Sequence, residues 1–329
     1  MMDQTFDAFV VEETEDRQYA GRVRQTRISD LPEGEVLIQV QYSSLNYKDA
    51  LSATGNKGVT RNYPHTPGID AAGQVVESRV PELAPGDPVI VTSYDLGMNT
   101  DGGFGRYIRV PAEWVVPLPD GLTLEESMIL GTAGFTAAMS VEKIIDTPVD
   151  AGPVLVTGAT GGVGSLAVAI LAKLGYAVTA VSGKSDTGFL QNLGASEIIS
   201  RQTFVENTKP PILPASWAAV VDTVGGDILT TAVKSTLPWG KVTCCGLVAS
   251  PDLSLTVFPF ILRGVSLHGI DSQHYPRGPR LALWKKLACD WKPKQLNQMA
   301  SHISLEQLPA AIDRMLKGGM TGRTVVDLK

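Results

Sequence analysis

The segment from Val154 to Lys184 constrains the fold of this chain more than any other stretch. Val154 to Val156 form a short apolar run, suited to a strand that is covered on both faces, and glycines follow directly. After the glycines, apolar residues recur at helical spacing from Val163 until Gly175, a typical helix stop. Ala177 to Val181 then return to a strand pattern. This order predicts a β-α-β unit with parallel strands and a right-handed crossover.

The turn after the first of these strands contains the pattern A-x-G-x-x-G, at Ala159, Gly161 and Gly164. In a dinucleotide-binding turn, the middle position lets the backbone approach a pyrophosphate, and the last position lets helix and strand pack closely. The helix N-terminus adds oriented N–H groups and the positive end of a dipole. The pattern alone is weak evidence, but it lies between a strand and a helix, which is the required context. We therefore predict a dinucleotide site rather than a glycine turn with a structural role only.

The end of the second strand distinguishes between the two nicotinamide dinucleotides. A site for NAD usually has Asp or Glu there, which accepts hydrogen bonds from the ribose hydroxyls, whereas this chain has Ser182-Gly183-Lys184. A hydroxyl and a cation suit a 2′-phosphate, but lysine is also common in solvated turns, and Asp186 nearby argues in the other direction. The absence of an acid at the strand end favours NADPH. Arg201, just past a later strand, is either a further phosphate ligand or a surface residue.

Length and composition limit the class of protein. A chain of 329 residues is too long for one ordinary core, so two domains are expected. A net charge of −6 argues against a general nucleic-acid binder. The start of the chain lacks signal-peptide features, no apolar run reaches the length of a membrane span, and three cysteines are too few for a disulfide framework. We expect a cytoplasmic protein without membrane or nucleic-acid partners.

The part of the chain before Gly121 is rich in predicted strands, and it indicates a compact, partly open barrel. The strands are expected at Phe6 to Glu12, Glu35 to Tyr42, Gly73 to Glu77, Pro88 to Thr92 and Tyr107 to Val110. Polar residues follow one of these strands, in the segment Ser43 to Asp49, and precede another, in the segment Pro67 to Asp70, and such strand ends often carry function. Tyr47 and Asp70 are therefore candidates, although a packed ring and a capping carboxylate explain them equally well.

Strand and helix patterns alternate in the rest of the chain, which predicts a doubly wound parallel sheet. A helix is expected from Gly131 to about Ile145 with Thr132 as its cap, and Val220 to Gly226 contain another strand end. Two further helices are expected at Arg280 to Lys294 and Leu305 to Lys317. A last strand, Thr324 to Leu328, is expected to return to the N-terminal domain.

Several segments resemble the medium-chain dehydrogenase/reductase superfamily. They are N-Y-K-D-A-L from Asn46, P-G-I-D-A-A-G-Q-V from Pro67, G-A-T-G-G-V-G from Gly158, F-P-F-I-L-R from Phe258 and G-R-T-V-V-D-L from Gly322. More narrowly, they are similar to its zinc-independent quinone-oxidoreductase branch, in the YhdH/AcuI group of acryloyl-CoA reductases. The resemblance covers nearly the whole chain, and its first and fourth segments are specific to the group, whereas A-x-G-x-x-G is not.

The resemblance implies two domains. One is a GroES-like catalytic domain formed by residues 1–127 and 299–329, and the other is a Rossmann domain of residues 128–298, with NADPH in the cleft between them. It also implies a homodimer through an edge strand, here around Val265 to Gly269, since such pairing satisfies an open sheet edge.

The resemblance also bears on metal. Zinc-containing members of the superfamily have a Cys where this chain has Ser43-Ser44-Leu45-Asn46-Tyr47, and G-H-E where it has Gly68-Ile69-Asp70. A catalytic zinc requires three protein ligands that converge on an open position. We therefore expect no metal in the reaction.

The implied chemistry is hydride transfer from NADPH to a C=C bond conjugated to a carbonyl, with the protein stabilising the enolate that develops. By resemblance, Tyr47, supported by Asn46, lies beside nicotinamide and substrate, and Asp70 and Arg323 are weaker candidates. The other implied cofactor residues are Thr160, Gly161, Gly162 and Val163 at the pyrophosphate, Ser182, Gly183, Lys184 and Arg201 at the 2′-phosphate, and Leu247, Ile261 and Ser272 at the nicotinamide end. Relatives of the group have an asparagine where this chain has Gly318, so no side-chain contact is expected there.

Three functions remain open on this basis. The first is an NADPH-dependent reductase of acryloyl-CoA or a similar 2-enoyl thioester, and Lys48, Lys57 and Arg61 are candidate partners for the CoA phosphates. The second is a reductase of free quinones or enones. The third is an NADPH-binding protein without turnover, which the polar loop around Tyr47 disfavours.

Overall fold

The computed structural model describes residues 4–185, 187–206 and 208–329. Asp186, which bears on the choice of nucleotide, lies outside these ranges, as do the first three residues of the chain. Within the described ranges, no helix combines the length and the apolar character needed to cross a membrane.

Strands and helices are numbered in chain order. The strands are β1 (Thr5–Glu13), β2 (Tyr19–Arg27), β3 (Val36–Ser44), β4 (Asp70–Ser78), β5 (Pro88–Thr92), β6 (Tyr107–Val110), β7 (Val115–Pro117), β8 (Val154–Val156), β9 (Val178–Ser182), β10 (Glu197–Ser200), β11 (Trp217–Asp222), β12 (Thr236–Cys244), β13 (Ser266–Gly269), β14 (Ala300–Ile303) and β15 (Arg323–Asp327). The helices are α1 (Tyr47–Ala53), α2 (Leu124–Ile144), α3 (Gly162–Lys173), α4 (Gly188–Asn192), α5 (Arg201–Phe204), α6 (Gly226–Lys234), α7 (Phe258–Arg263), α8 (Arg277–Ala288) and α9 (Leu308–Leu316).

The residues group into two compact units. The first unit contains the chain up to Thr132 together with Gln273–Ala288 and Leu296–Lys329, and the second contains Ala133–Ser272 with Cys289–Gln295. The domain boundaries expected from the sequence, 1–127 with 299–329 and 128–298, stay a prediction.

The described part of the first unit is built on a seven-stranded sheet. Its order is β14-β15-β3-β4-β5-β7, with β6 also pairing with β3, and β1 and β2 form a separate antiparallel pair. Strand β15 runs antiparallel to β3, with Val325 opposite Ser44, which confirms that the last strand returns to the N-terminal part. Strand β2 was not predicted, because its sequence is mostly polar; Tyr19 and Val23 pack against the core, and its residues stay partly exposed or exposed.

The described part of the second unit contains a six-stranded parallel sheet in the order β10-β9-β8-β11-β12-β13. The chain proceeds from β8 to β9 and β10 on one side, and then returns to β11, β12 and β13 on the other. The doubly wound sheet and the β-α-β unit are therefore confirmed. In such sheets, ligands bind outside the carboxyl ends of the strands where this reversal occurs, which here lies between β8 and β11.

Two helices differ from the prediction. Helix α2 starts at Leu124, and Gly131 is a non-helical kink inside it with φ 52° and ψ −158°. The helix expected from Gly131 is therefore the part of α2 after this kink, and the part before it was not predicted. Helix α8 stops at Ala288 instead of continuing to Lys294. Its chain turns there through a bond from Lys292 N–H to the Cys289 carbonyl, and the proline that follows Lys292 disfavours further helix.

Candidate functional site

The glycine turn between β8 and α3 leaves its backbone open to a ligand. A Cβ atom built on Gly161 would meet only the Gly158 carbonyl oxygen, at 3.3 Å, and Gly161 is exposed. A Cβ on Gly164 would lie 2.3 Å from the same oxygen, so that only glycine allows α3 to pack there. Thr160 is buried, whereas Gly162 and Val163 at the start of α3 are partly exposed. The turn thus has the two properties that a pyrophosphate site requires of its glycines.

The structure brings together the four residues predicted to bind a 2′-phosphate. Strands β9 and β10 run parallel with Ser182 opposite Ser200, so Arg201 starts α5 at the same edge of the sheet. The buried Ser182 hydroxyl accepts a hydrogen bond from Lys184 N–H at 3.0 Å. The guanidinium of Arg201 covers Gly183, where a Cβ would lie 3.1 Å from Arg201 Cζ. The Ser182 hydroxyl and the Arg201 guanidinium thus lie at this strand end, with Lys184 next in the chain, and a hydroxyl with cationic groups fits a phosphate dianion.

The three residues predicted for the nicotinamide end lie apart along the chain of the second unit. Leu247 follows β12 and exposes 64% of its surface, and Ile261 in α7 exposes 67%. Ser272 accepts a hydrogen bond from the Thr136 hydroxyl at 2.9 Å. Their roles stay predictions, as do those of the other predicted site residues.

A buried carboxylate that no functional prediction included lies at the end of β11. Asp222 accepts hydrogen bonds from the Thr157 hydroxyl at 2.7 Å and from the N–H groups of Gly225 and Val224 at 2.9 and 3.3 Å. Burial raises the pKa of Asp222, and these hydrogen bonds oppose that rise. The sequence marks Asp222 only as a strand end before two glycines.

In the first unit, Tyr47 and Asn46 lie where helix α1 begins. Tyr47 is the first helical residue and exposes 39% of its surface, while Asn46 is buried directly before it. The Asp49 carboxylate accepts a hydrogen bond from Asn46 N–H at 2.8 Å and another from Ile69 N–H at 2.8 Å. Asp49 thereby joins the loop before Tyr47 to the loop before Asp70. The spacing N-x-x-D is a helix-start signal, and it was available in the sequence.

Asp70 is the centre of a buried group of polar side chains, which we call the Asp70 cluster and which consists of Ser44, Asn46, Asp70, Thr132 and Arg323. Asp70 Oδ2 accepts hydrogen bonds from Ser44 Oγ at 2.6 Å and from Asn46 Nδ2 at 2.8 Å. Asp70 Oδ1 accepts one from the Thr132 hydroxyl at 2.6 Å, and Thr132 N–H lies 2.9 Å from Oδ2. The Thr132 hydroxyl, which was expected to cap a helix, thus donates a hydrogen bond to Asp70.

Arg323 completes the cluster from strand β15. Its guanidinium donates to Ser44 Oγ at 2.9 Å, to Asn46 Oδ1 at 3.2 Å and to the Ile129 carbonyl at 2.9 Å, and it lies 3.9 Å from Asp70 Oδ2. Asp70 is fully buried and Arg323 is 3% exposed. The structure therefore brings Asn46, Asp70 and Arg323 into contact beneath the surface, and of the four predicted catalytic candidates Tyr47 alone is exposed.

Burial dominates the electrostatics of this region. It raises the pKa of Asp49 to about 7, and the nearby charge of Asp70 adds to the rise. It lowers the pKa of Arg323, which the charges of Asp70 and Asp49 oppose. Arginine remains protonated in proteins, so the cluster holds a permanent buried cation, and the carboxyl group whose pKa is raised is that of Asp49, outside the cluster.

No group of three or more His, Cys, Asp or Glu side chains is placed to hold a metal ion within residues 4–185, 187–206 and 208–329. The expectation of a reaction without metal stays a prediction.

Two family models match the chain. The model described as "Alcohol dehydrogenase GroES-like domain" matches residues 32–120. The model described as "Zinc-binding dehydrogenase" matches residues 162–284. The first match lies within the first unit, and the second covers residues 162–272 of the second unit together with residues 273–284 of the first. The two matches confirm the predicted pairing of a GroES-like part with a Rossmann part.

Three relatives match almost from end to end. YhfP of Bacillus subtilis, which carries a quinone oxidoreductase name, is 44% identical over 99% of this chain and all of its own. Its crystal structure with NAD bound has a TM-score of 0.96 and covers 99% of this chain and 100% of its own. The acrylyl-CoA reductase AcuI of Ruegeria pomeroyi is 43% identical over 98% of this chain and 99% of its own. The YhdH oxidoreductase of Salmonella enterica in complex with NADP is 41% identical, with a TM-score of 0.95, over 98% of this chain and 100% of its own.

Identity at this level over the full length, together with both family models, establishes that the chain belongs to the medium-chain dehydrogenase/reductase superfamily, in the group that contains AcuI, YhdH and YhfP.

Proposed function

We propose that the chain catalyses the NADPH-dependent reduction of the activated C=C bond of acryloyl-CoA or a similar 2-enoyl thioester. The observation that carries the proposal is the group formed by Ser182, Lys184 and Arg201 beside an open glycine turn, since it suits a dinucleotide with a 2′-phosphate. The 43% identity with an acrylyl-CoA reductase over 98% of the chain supports the choice of substrate.

The residues present fit NADPH. The exposed Gly161 leaves the turn backbone accessible, and Gly164 keeps α3 close. Where an NAD site usually has an acid, this chain has Lys184 in sequence and the Arg201 guanidinium against Gly183. Once bound, NADPH supplies a hydride for an electron-poor double bond. The residues from Thr160 to Val163 would hold its pyrophosphate, and Ser182, Gly183, Lys184 and Arg201 its 2′-phosphate.

In the first unit, we assign the reacting polar group to Tyr47. Its partly exposed phenol at the start of α1 offers a hydrogen bond to the oxygen on which enolate charge develops, and hydrogen bonding of that kind is a major source of catalysis. Asn46, Asp70 and Arg323 are buried, so we assign them a positioning role in holding the loop before Tyr47. Because Ile69 and the loop from Ser43 to Tyr47 offer no zinc ligand where zinc relatives have one, the enolate would be stabilised without metal.

We also propose a homodimer in the cytoplasm. Strand β13 lies at one end of the six-stranded sheet, and its residues are exposed or partly exposed. Pairing of β13 with its copy would satisfy the backbone groups of that edge. Sedimentation of the purified protein at micromolar concentration checks this, and a monomer would contradict it.

A quinone or enone is the second candidate substrate. This candidate is supported by YhfP, which is described as a quinone oxidoreductase and is 44% identical to this chain. The crystal structure of YhfP contains NAD, so the preference of this chain for NADPH over NADH has to be measured. The quinone candidate uses the same residues and differs only in the acceptor.

Steady-state oxidation of NADPH and of NADH by chelator-treated protein distinguishes these proposals. Acryloyl-CoA, crotonyl-CoA and a small quinone are offered side by side. Rapid, NADPH-selective turnover of acryloyl-CoA supports the first proposal, and turnover of the quinone with inert thioesters supports the second. Tight NADPH binding without any turnover would contradict both.

A further inference from the structure

Asp222 lies where the parallel sheet reverses its order. It ends β11, and Thr157 directly follows β8, the adjacent parallel strand. Ligands of doubly wound sheets bind outside the strand ends at this position. Both residues are fully buried, so neither is a surface ligand.

Thr157, Asp222 and Thr223 tie the two strand ends together. The Thr157 hydroxyl donates to Asp222 Oδ1 at 2.7 Å and accepts from Thr223 N–H at 3.1 Å. The Thr223 hydroxyl donates to the Thr157 carbonyl at 2.8 Å. Asp222 Oδ2 also accepts from Gly225 N–H, which fixes the turn after β11. The Asp222 carboxylate therefore contacts both the residue before the glycine turn that follows β8 and the turn that follows β11.

The glycine turn depends on this tie for its shape. Gly158 follows Thr157 in the left-handed region, with φ 58°, and a Cβ there would lie 2.3 Å from the Thr223 hydroxyl oxygen. The Gly158 carbonyl accepts from Gly161 N–H at 2.9 Å and is the atom against which Gly164 packs. If the Thr157 backbone moved, Gly158 would move with it, and its carbonyl would lose its contacts with Gly161 and Gly164 at the start of α3.

The surroundings of Asp222 are otherwise neutral. Its hydrogen-bond donors in the described residues are the Thr157 hydroxyl, backbone N–H groups and the Cys244 thiol, and the titratable groups near it are Cys244 in β12 and Cys245 directly after β12. Burial raises the pKa of both thiols. A buried carboxylate near an anion-binding turn costs free energy unless its hydrogen bonds compensate for the lost hydration.

We propose that Thr157 and Asp222 form a positioning pair, which holds the glycine turn in the conformation that binds the pyrophosphate of the dinucleotide. This rests on the proposed function only in taking NADPH as the ligand. The pair acts through the backbone of Gly158 to Gly161 and does not touch the reacting atoms.

The test measures NADPH binding directly, by fluorescence titration without any second substrate, on folded wild-type and variant proteins. Thr157→Val keeps the shape of the side chain but removes the donor, whereas Thr157→Ser keeps the donor and loses a methyl group. We expect Thr157→Val to weaken NADPH binding about tenfold, the effect of one lost buried hydrogen bond, and Thr157→Ser to restore most of that loss. A packing role alone would give the opposite order.

Asp222→Asn is expected to weaken NADPH binding about tenfold as well, since its amide accepts at one atom only. Asp227→Asn, an exposed carboxylate in the first turn of α6, is the matched control and should bind as wild type does. With a saturating second substrate, the KM for NADPH should rise while kcat stays within about twofold. If Asp222→Asn does not fold, the two Thr157 variants decide alone.

The outcomes separate this inference from the proposed function. If wild type binds NADPH and Thr157→Val binds it equally well, or Thr157→Ser is the weaker binder, the positioning role is wrong and the proposed function stands. A fall in kcat with an unchanged KM for NADPH also overturns the role. Wild-type protein that fails to bind NADPH overturns the proposed function and this inference with it.

Discussion

A Cβ atom on Gly131 would lie 2.5 Å from Asp70 Oδ2, the carboxylate oxygen at the centre of the buried cluster. The same Cβ would lie 2.7 Å from Ser44 Oγ and 2.9 Å from the Arg323 guanidinium. Helix α2 therefore passes the Asp70 cluster only because Gly131 has no side chain and adopts φ 52° and ψ −158°, a conformation that other residues avoid.

Gly131→Ala is expected to lower the free energy of unfolding by about 3 kcal/mol or more, because backbone strain and a clash with buried polar atoms add. Denaturant unfolding measures the change. Gly318→Ala is the matched control, since Gly318 also has a positive φ, 70°, but nothing lies within 4 Å of its Cβ position. Gly318→Ala should lower the free energy of unfolding only by the backbone strain, about 1 to 2 kcal/mol. Equal losses in the two variants would refute the clash.

Asp49 is expected to make stability depend on pH. Its pKa is raised from 3.8 to about 7, so between these values the folded protein holds a proton that the unfolded chain has lost. The contribution of this group to stability therefore falls as the pH rises through that window. In Asp49→Asn the group no longer titrates, and the advantage of wild type over the variant should shrink between about pH 5 and about pH 8.

Chemical denaturation at both pH values measures that difference. Asp120→Asn, at an exposed position, is the control and should differ from wild type by the same small amount at each pH. An advantage of wild type that grows with pH would show that the fold favours the ionised form of Asp49, which is the opposite of what burial of its carboxyl group predicts.

Arg201 and Lys184 are expected to set the nucleotide preference. Replacing either by Ala removes a cation from the end of β9, where Arg201 covers Gly183. The ratio of kcat/KM for NADPH to that for NADH should fall about tenfold per variant, and the loss should come from NADPH alone. Lys143→Ala, which removes an exposed cation at the end of α2, should leave the ratio unchanged. An unchanged ratio in both test variants would remove the assignment of the 2′-phosphate site.

Tyr47→Phe is expected to lower kcat about a hundredfold, the usual cost of one donor to a developing oxyanion. NADPH affinity should change little, because the hydroxyl is assigned to the substrate. Tyr107→Phe removes a buried phenol that accepts from Gln4 and serves as the control, with kcat unchanged. Full turnover in Tyr47→Phe would leave its hydroxyl without a required role in the reaction.

Local patterns predicted most of the fold. The segment Val154 to Lys184 predicted its strand, turn and helix because periodicity and glycine placement are properties of neighbouring residues. Strand β2 was not predicted, since its sequence is mostly polar and only Tyr19 and Val23 pack against the core. The part of α2 before the kink at Gly131 was not predicted either, because Gly131 resembles a helix start. Where local signals are weak or ambiguous, tertiary contacts decide.

The sequence by itself determined the parallel sheet and the glycine turn, because these follow from spacing along the chain, whereas most candidate site residues came from the resemblance to a known family. Only the tertiary structure decided that Asp70, Thr132 and Arg323, separated by 62 residues or more, form one buried cluster, and that Asp222 reaches Thr157 across 65 positions. No spacing rule links residues so far apart. Their contacts arise when the sheets assemble and leave buried polar groups that must find partners.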